Sequence, residues 1–247
     1  MSDHKKVVSQ LLEEDYRYAA VLHQFGIDFF DYLNHTLAEA CRISKVEPVR
    51  IQDQLEENSL WAAELSKDYR YYAPGRLVTH LQKSHHNYAQ VMLPIIQHHI
   101  ERSAQQLGKE YPHLHLLNNI FDSFRKDFLA HIHYENTVVF PYIKKLERNS
   151  MSFSNNFLLE VKSFSLDHFI MKHAHDDDDM LVLRKLTHNF KSDSSDHIAY
   201  RILMRELHDF EQDLQVHSLV EEQVLLPKVQ KLEKALMNKV KELLKSN

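Results

Sequence analysis

One cysteine, Cys41, stands in 247 residues. No disulfide can therefore form within the chain, and a disulfide-dense secreted scaffold is excluded. A reducing, cytoplasmic setting is expected. Glycine occurs 3 times and proline 6 times, too seldom for the turns of a sandwich or barrel, so long helices are expected instead. No apolar run of about 18 residues and no N-terminal apolar segment is present, which leaves no membrane span and no signal peptide to read. Cationic excess is missing too. A net charge of -5 gives no electrostatic reason for nucleic acid or an acidic membrane as partner.

What is abundant is apolar surface, 43% of residues, and histidine, with 19 copies. The first supports a real core. The second is more than any one site uses, so most imidazoles are expected in solvent. Apolar positions at helical spacing divide residues 1–66 into short helices, broken at Gly26 and around Asn34–Thr36, with Thr36 as an N-cap. This is read as a small N-terminal helical domain. The stretch ending at Pro74–Gly75 reads as its linker to a second domain, 67–247. There, four long amphipathic segments are expected near 74–109, 114–147, 153–190 and 195–244, the last disturbed at Pro227. Short joints between long helices favour an all-α, up-down-up-down four-helix bundle.

Two copies of one pattern carry the chemistry. His131-x3-Glu135-x5-Pro141 lies in HIHYENTVVFP, and His217-x3-Glu221-x5-Pro227 in HSLVEEQVLLP. Positions i and i+4 share a helix face about 6 Å apart along the axis. Each copy therefore aims an imidazole and a carboxylate together, within stripes of Phe121, Phe124, Phe128 and Val138, or of Phe210, Leu214, Val224 and Leu225. A carboxylate in such a stripe is costly unless a cation meets it, and two facing copies suit two metal ions. Counting from turns near 111, 151 and 193, histidine recurs at the same level on the other two helices. The first helix offers His85, slightly favoured by its line with Leu81, Tyr88 and Met92, or His86, in line with Ala89 and Leu93, and the stripe does not decide between them. The third offers His173, in line with Leu166, Phe169, Ile170, Met180 and Leu183, or His175, on the thinner stripe of Met171, Val182 and Leu186.

These motifs resemble the hemerythrin-like di-iron proteins, specifically the iron–sulfur cluster repair group, also described as regulators of cell morphogenesis and NO signalling. SHHNYAQVMLP is similar to that group's first ligand motif, HIHYENTVVFP and HSLVEEQVLLP to its His-x3-Glu motifs, and DYRYAAVLHQFGIDFF…TLAEAC to its N-terminal domain. The resemblance places the first-helix ligand at His86, against the stripe. On the third helix its His-Asp dipeptide matches His175, while its apolar spacing matches His173. It implies two non-haem, oxo- or hydroxo-bridged iron ions held by His86, His131, His173 and His217, with Glu135 and Glu221 bridging. It also implies repair of iron–sulfur clusters damaged by oxidative or nitrosative stress, through iron supply or NO handling. The alternative is an O2 or NO carrier or sensor. The expected partners are O2 or NO and damaged iron–sulfur proteins, with a homodimer as an expected assembly. The chain departs from the group at Phe30 and Asp31, where adjacent cysteines are usual, which puts any thiol-dependent step in question.

Overall fold

Helix is the regular structure throughout the described residues of the computed structural model, which are 3–64, 68–152, 165–173 and 180–245, without the side chains of 58–64, 172–173 and 243–244. An isolated bridge joins Val7 and Thr36. The all-α class expected from the scarcity of glycine and proline is the class observed. Among the described residues no helix is long and apolar enough to cross a membrane.

In chain order the helices are α1 (Val8–Glu14), α2 (Tyr18–Gln24), α3 (Leu37–Ser44), α4 (Pro48–Glu64), α5 (Pro74–Asn87), α6 (Leu93–Leu107), α7 (His113–Tyr134), α8 (Phe140–Met151), α9 (Leu166–His173), α10 (Leu181–Leu186), α11 (Ile198–Leu219) and α12 (Leu226–Lys245). Three π segments, Tyr88–Met92, Glu135–Val139 and Val220–Leu225, join α5 to α6, α7 to α8 and α11 to α12. Each is followed at once by a proline at the first turn of the next helix, namely Pro94, Pro141 and Pro227. Proline lacks an N–H and its ring collides with the carbonyl four residues back. A wider turn removes the collision without ending the helix. The disturbance expected at Pro227 is therefore a π segment rather than a break.

The chain divides into two compact units. One comprises Met1–Lys67, Ala89–Ser123 and Met180–Glu211, the other Asp68–Tyr88, Phe124–Asp179 and Gln212–Asn247. In the first, Thr36 caps α3 through a reciprocal box. Its Oγ1 accepts from Glu39 N at 3.2 Å, and its own N–H donates to Glu39 Oε2 at 2.8 Å. Such a pair satisfies two backbone donors at the helix start. Val21 and Leu22 of α2 are fully buried. The joint after α10 carries His188, Asn189 and Phe190 at φ of 52, 62 and 55°.

The second unit is built on a core of Leu77, Val78, Leu81, Val139, Phe140, Ile143, Leu225 and Val229, all fully buried. Fully burying one such side chain contributes about 1.5–3 kcal/mol. The backbone after Asp68 is tied down by Lys228, whose Nζ donates to the carbonyls of Arg70 and Tyr72 at 2.7 and 2.5 Å. One stripe position is corrected. Val138 is 37% exposed, while Val139 is buried. The π segment spends an extra residue in its turn, so an α-helical count across it arrives one position early.

Candidate metal centre

Two of the π-bearing helices supply the carboxylates. Glu135 opens its π segment and has 0% exposure. Its two oxygens face different imidazoles: Oε1 lies 3.1 Å from His131 Nε2, and Oε2 lies 3.3 Å from His85 Nε2. The second motif is arranged alike but more loosely, with His217 Nε2 4.0 Å from Glu221 Oε2 and Glu221 1% exposed. His85 Nε2 and His217 Nε2 approach to 3.1 Å. Two imidazole nitrogens held side by side on one ion at about 2.1 Å stand about 3 Å apart. His85, Glu135 and His217 form a group whose ligand atoms all lie within 4.8 Å of one another.

Aromatic rings wall the cluster. Phe140 stacks on His85 with centroids 5.4 Å apart, and Tyr88 meets His217 edge-on at 5.5 Å. Phe128 stacks on His131 at 6.4 Å. Tyr88 OH points away, donating to the Asp213 backbone carbonyl at 3.4 Å. Burial, helped by the His85 and His131 imidazoles and opposed by the Glu135 carboxylate, pushes His217 down to about 3. Its ring is therefore neutral near pH 7, the form a metal binds. Among the described residues His217 Nδ1 is buried without a hydrogen-bond partner.

The structure brings together His85, His131, Glu135, His217 and Glu221. It does not place His86 there. His86 is exposed, and the inward residue of the pair is His85, 1% exposed. The expectation of His86 is corrected. Ser84 and His85 share the buried face of α5 with Leu81, and the buried Tyr88 at the start of the following π segment continues it. His175 and the side chain of His173 lie outside the described residues. Leu166, Phe169, Met180 and Leu183, from the stripe read with His173, are buried, whereas Met171 and Val182, from the other, are 65% and 54% exposed. Sequence reasoning missed Asn136, whose Oδ1 lies 3.2 Å from His85 Nδ1. Its place directly after a motif carboxylate was the available signal.

The donor set fits a metal. A wholly buried carboxylate offers one oxygen to each of two imidazole groups, as a bridge between two ions requires. Histidine and carboxylate together suit iron or zinc.

The comparisons agree with that chemistry. Over nearly its whole length the chain is similar to the iron–sulfur cluster repair protein ScdA of Staphylococcus haemolyticus (strain JCSC1435). The two are 20% identical over 228 residues, covering 92% of this chain and 99% of that protein. Residues 77–229 match the model of the hemerythrin HHE cation binding domain, a stretch that holds His85, both His-x3-Glu motifs and all three π segments. The chain therefore belongs to the hemerythrin family of HHE cation-binding proteins.

Proposed function

We propose that this chain holds two iron ions between Glu135 and Glu221 and serves in the repair of iron–sulfur clusters damaged by oxidative or nitrosative stress. The observation that carries the reading is the Glu135 carboxylate, buried with its two oxygens turned to His131 and to His85. One ion would take His85 and His217, and the other His131 with His173 or His175. The Glu135 and Glu221 carboxylates would offset repulsion between two cations in a low-dielectric interior. The pair would supply redox chemistry and open positions for a small ligand such as O2 or NO. The protein's share is to present the His217 imidazole in its neutral form and to wall off water with Tyr88, Phe128 and Phe140. Repair is supported by the similarity to the ScdA protein along most of both chains, and damaged iron–sulfur proteins would be its clients.

A second reading, an O2 or NO carrier or sensor, is favoured by one feature. At the positions where the repair group carries adjacent cysteines, Phe30 is packed at 7% exposure and Asp31 is paired to Arg102 at 2.5 Å. That edge offers no thiol.

The test is metal analysis of the chain purified from iron-replete cells, followed by incubation with an iron–sulfur hydratase inactivated by peroxide or NO. We expect close to two irons per chain and recovery of the hydratase, with both lost in Glu135→Ala. Less than one iron per chain overturns the di-iron reading. Two irons without recovery of the hydratase moves the function to the carrier.

A further inference from the structure

The imidazole of His85 is gripped at both nitrogens by consecutive residues of one π segment. Glu135 Oε2 faces Nε2 at 3.3 Å, and Asn136 Oδ1 faces Nδ1 at 3.2 Å. An amide carbonyl can only accept, so the Asn136 contact is a hydrogen bond in the tautomer that carries its proton on Nδ1 and leaves the Nε2 lone pair free. The lone pair then points at the same carboxylate and at His217 Nε2, 3.1 Å away.

We infer that Asn136 is a positioning residue for the metal centre: it fixes His85 in the tautomer whose Nε2 binds the ion. The inference rests on the di-iron reading and names what prepares its first-helix ligand. An imidazole that binds a metal through one nitrogen usually donates its other N–H to an oxygen, which sets ring orientation and ligand strength. The choice of an amide has its own logic. Glu135 and Glu221 already place two carboxylates in the interior, at 0% and 1% exposure. A neutral acceptor holds the ring without a third negative charge.

His217 gives the contrast. Its Nε2 meets the same cluster, but its Nδ1 has no hydrogen-bond partner among the described residues. The lock at His85 thus has no counterpart at His217 among the described residues. Phe140, stacked on the His85 ring at 5.4 Å, restrains its plane but cannot select a tautomer. That task falls to Asn136.

Two variants separate the lock from mere packing. Asn136→Leu keeps the γ-branched shape and removes the acceptor, and Asn136→Asp keeps the acceptor. Nitrogen NMR of the histidines in the metal-free full-length chain reads the tautomer directly, and circular dichroism checks that each variant is folded. His85 is expected as the Nδ1–H form in the parent and in Asn136→Asp, and as a mixture in Asn136→Leu. Iron retention against a competing chelator should fall about 10- to 100-fold in Asn136→Leu and be restored in Asn136→Asp. An unchanged tautomer or unchanged iron retention in Asn136→Leu overturns the inference. A parent chain that holds no iron would sink the di-iron reading instead, and the metal-free tautomer would still decide the lock.

Discussion

His23 tests the electrostatics away from the metal centre. It lies on α2 with its ring 4.5 Å from that of His98 and 5.6 Å from that of His99. His98 Nε2 pairs with Asp28 at 3.1 Å, Arg102 pairs with the same carboxylate at 2.8 Å, and His99 Nδ1 pairs with Glu206 at 2.8 Å. Burial first, then the His99 and His98 rings, push His23 down to about 4, with Asp28 opposing. In the unfolded chain the same group titrates near 6.5. Between these values the unfolded state binds a proton that the folded state refuses, so stability must fall as pH drops below about 6.5. From there to pH 5 a full difference amounts to about 2 kcal/mol at 1.36 kcal/mol per pH unit. His23 is only half buried, and solvent screening reduces the expectation to about 1 kcal/mol. Urea unfolding of the parent and of His23→Leu at pH 7 and pH 5 measures it. The parent should lose about 1 kcal/mol more than the variant over that interval. Equal losses would refute the assignment of a neutral, disfavoured His23, whatever the other histidines contribute.

Two further outcomes are expected. His85→Ala should lose most of its bound iron while His86→Ala keeps it, read by metal analysis of the purified proteins, and the reverse result would return the ligand to the exposed residue. Thr36→Ala should cost about 1 kcal/mol in urea unfolding through loss of the cap on α3, with iron content unchanged.

Much of the helical layout could be read from residue types. The segment expected over 74–109 ends as helix at Leu107, and those expected from 114 and 195 begin at His113 and Ile198. These limits are written locally, by Pro74 at a helix start, by the joint around Pro112, and by the run of polar residues before Ile198. The two motif carboxylates were legible for the same reason, because one helix turn places His131 beside Glu135. What could not be read is phase across a π segment. Nothing in the apolar pattern announces the extra residue before Pro141, so Val138 was expected where Val139 stands. The choice between His85 and His86 turned on the face of α5 that continues into the π segment, where Leu81 and Tyr88 are buried together with His85. Asn136 escaped because one amide after a glutamate is an ordinary surface pattern until the ring opposite it is known.

The joint after α10 has a consequence of its own. Three successive residues, none of them glycine, hold left-handed backbone, at about 1–2 kcal/mol each. The restraint is local and visible: Thr187 Oγ1 accepts from Phe190 N at 3.2 Å, Asn189 N donates to the Arg184 carbonyl at 2.7 Å, and the Phe190 ring is 7% exposed. The cost of the bend is thus offset by two hydrogen bonds and one seated aromatic ring acting together, so the exit of α10 is a sprung corner that only the combined loss of all three would release.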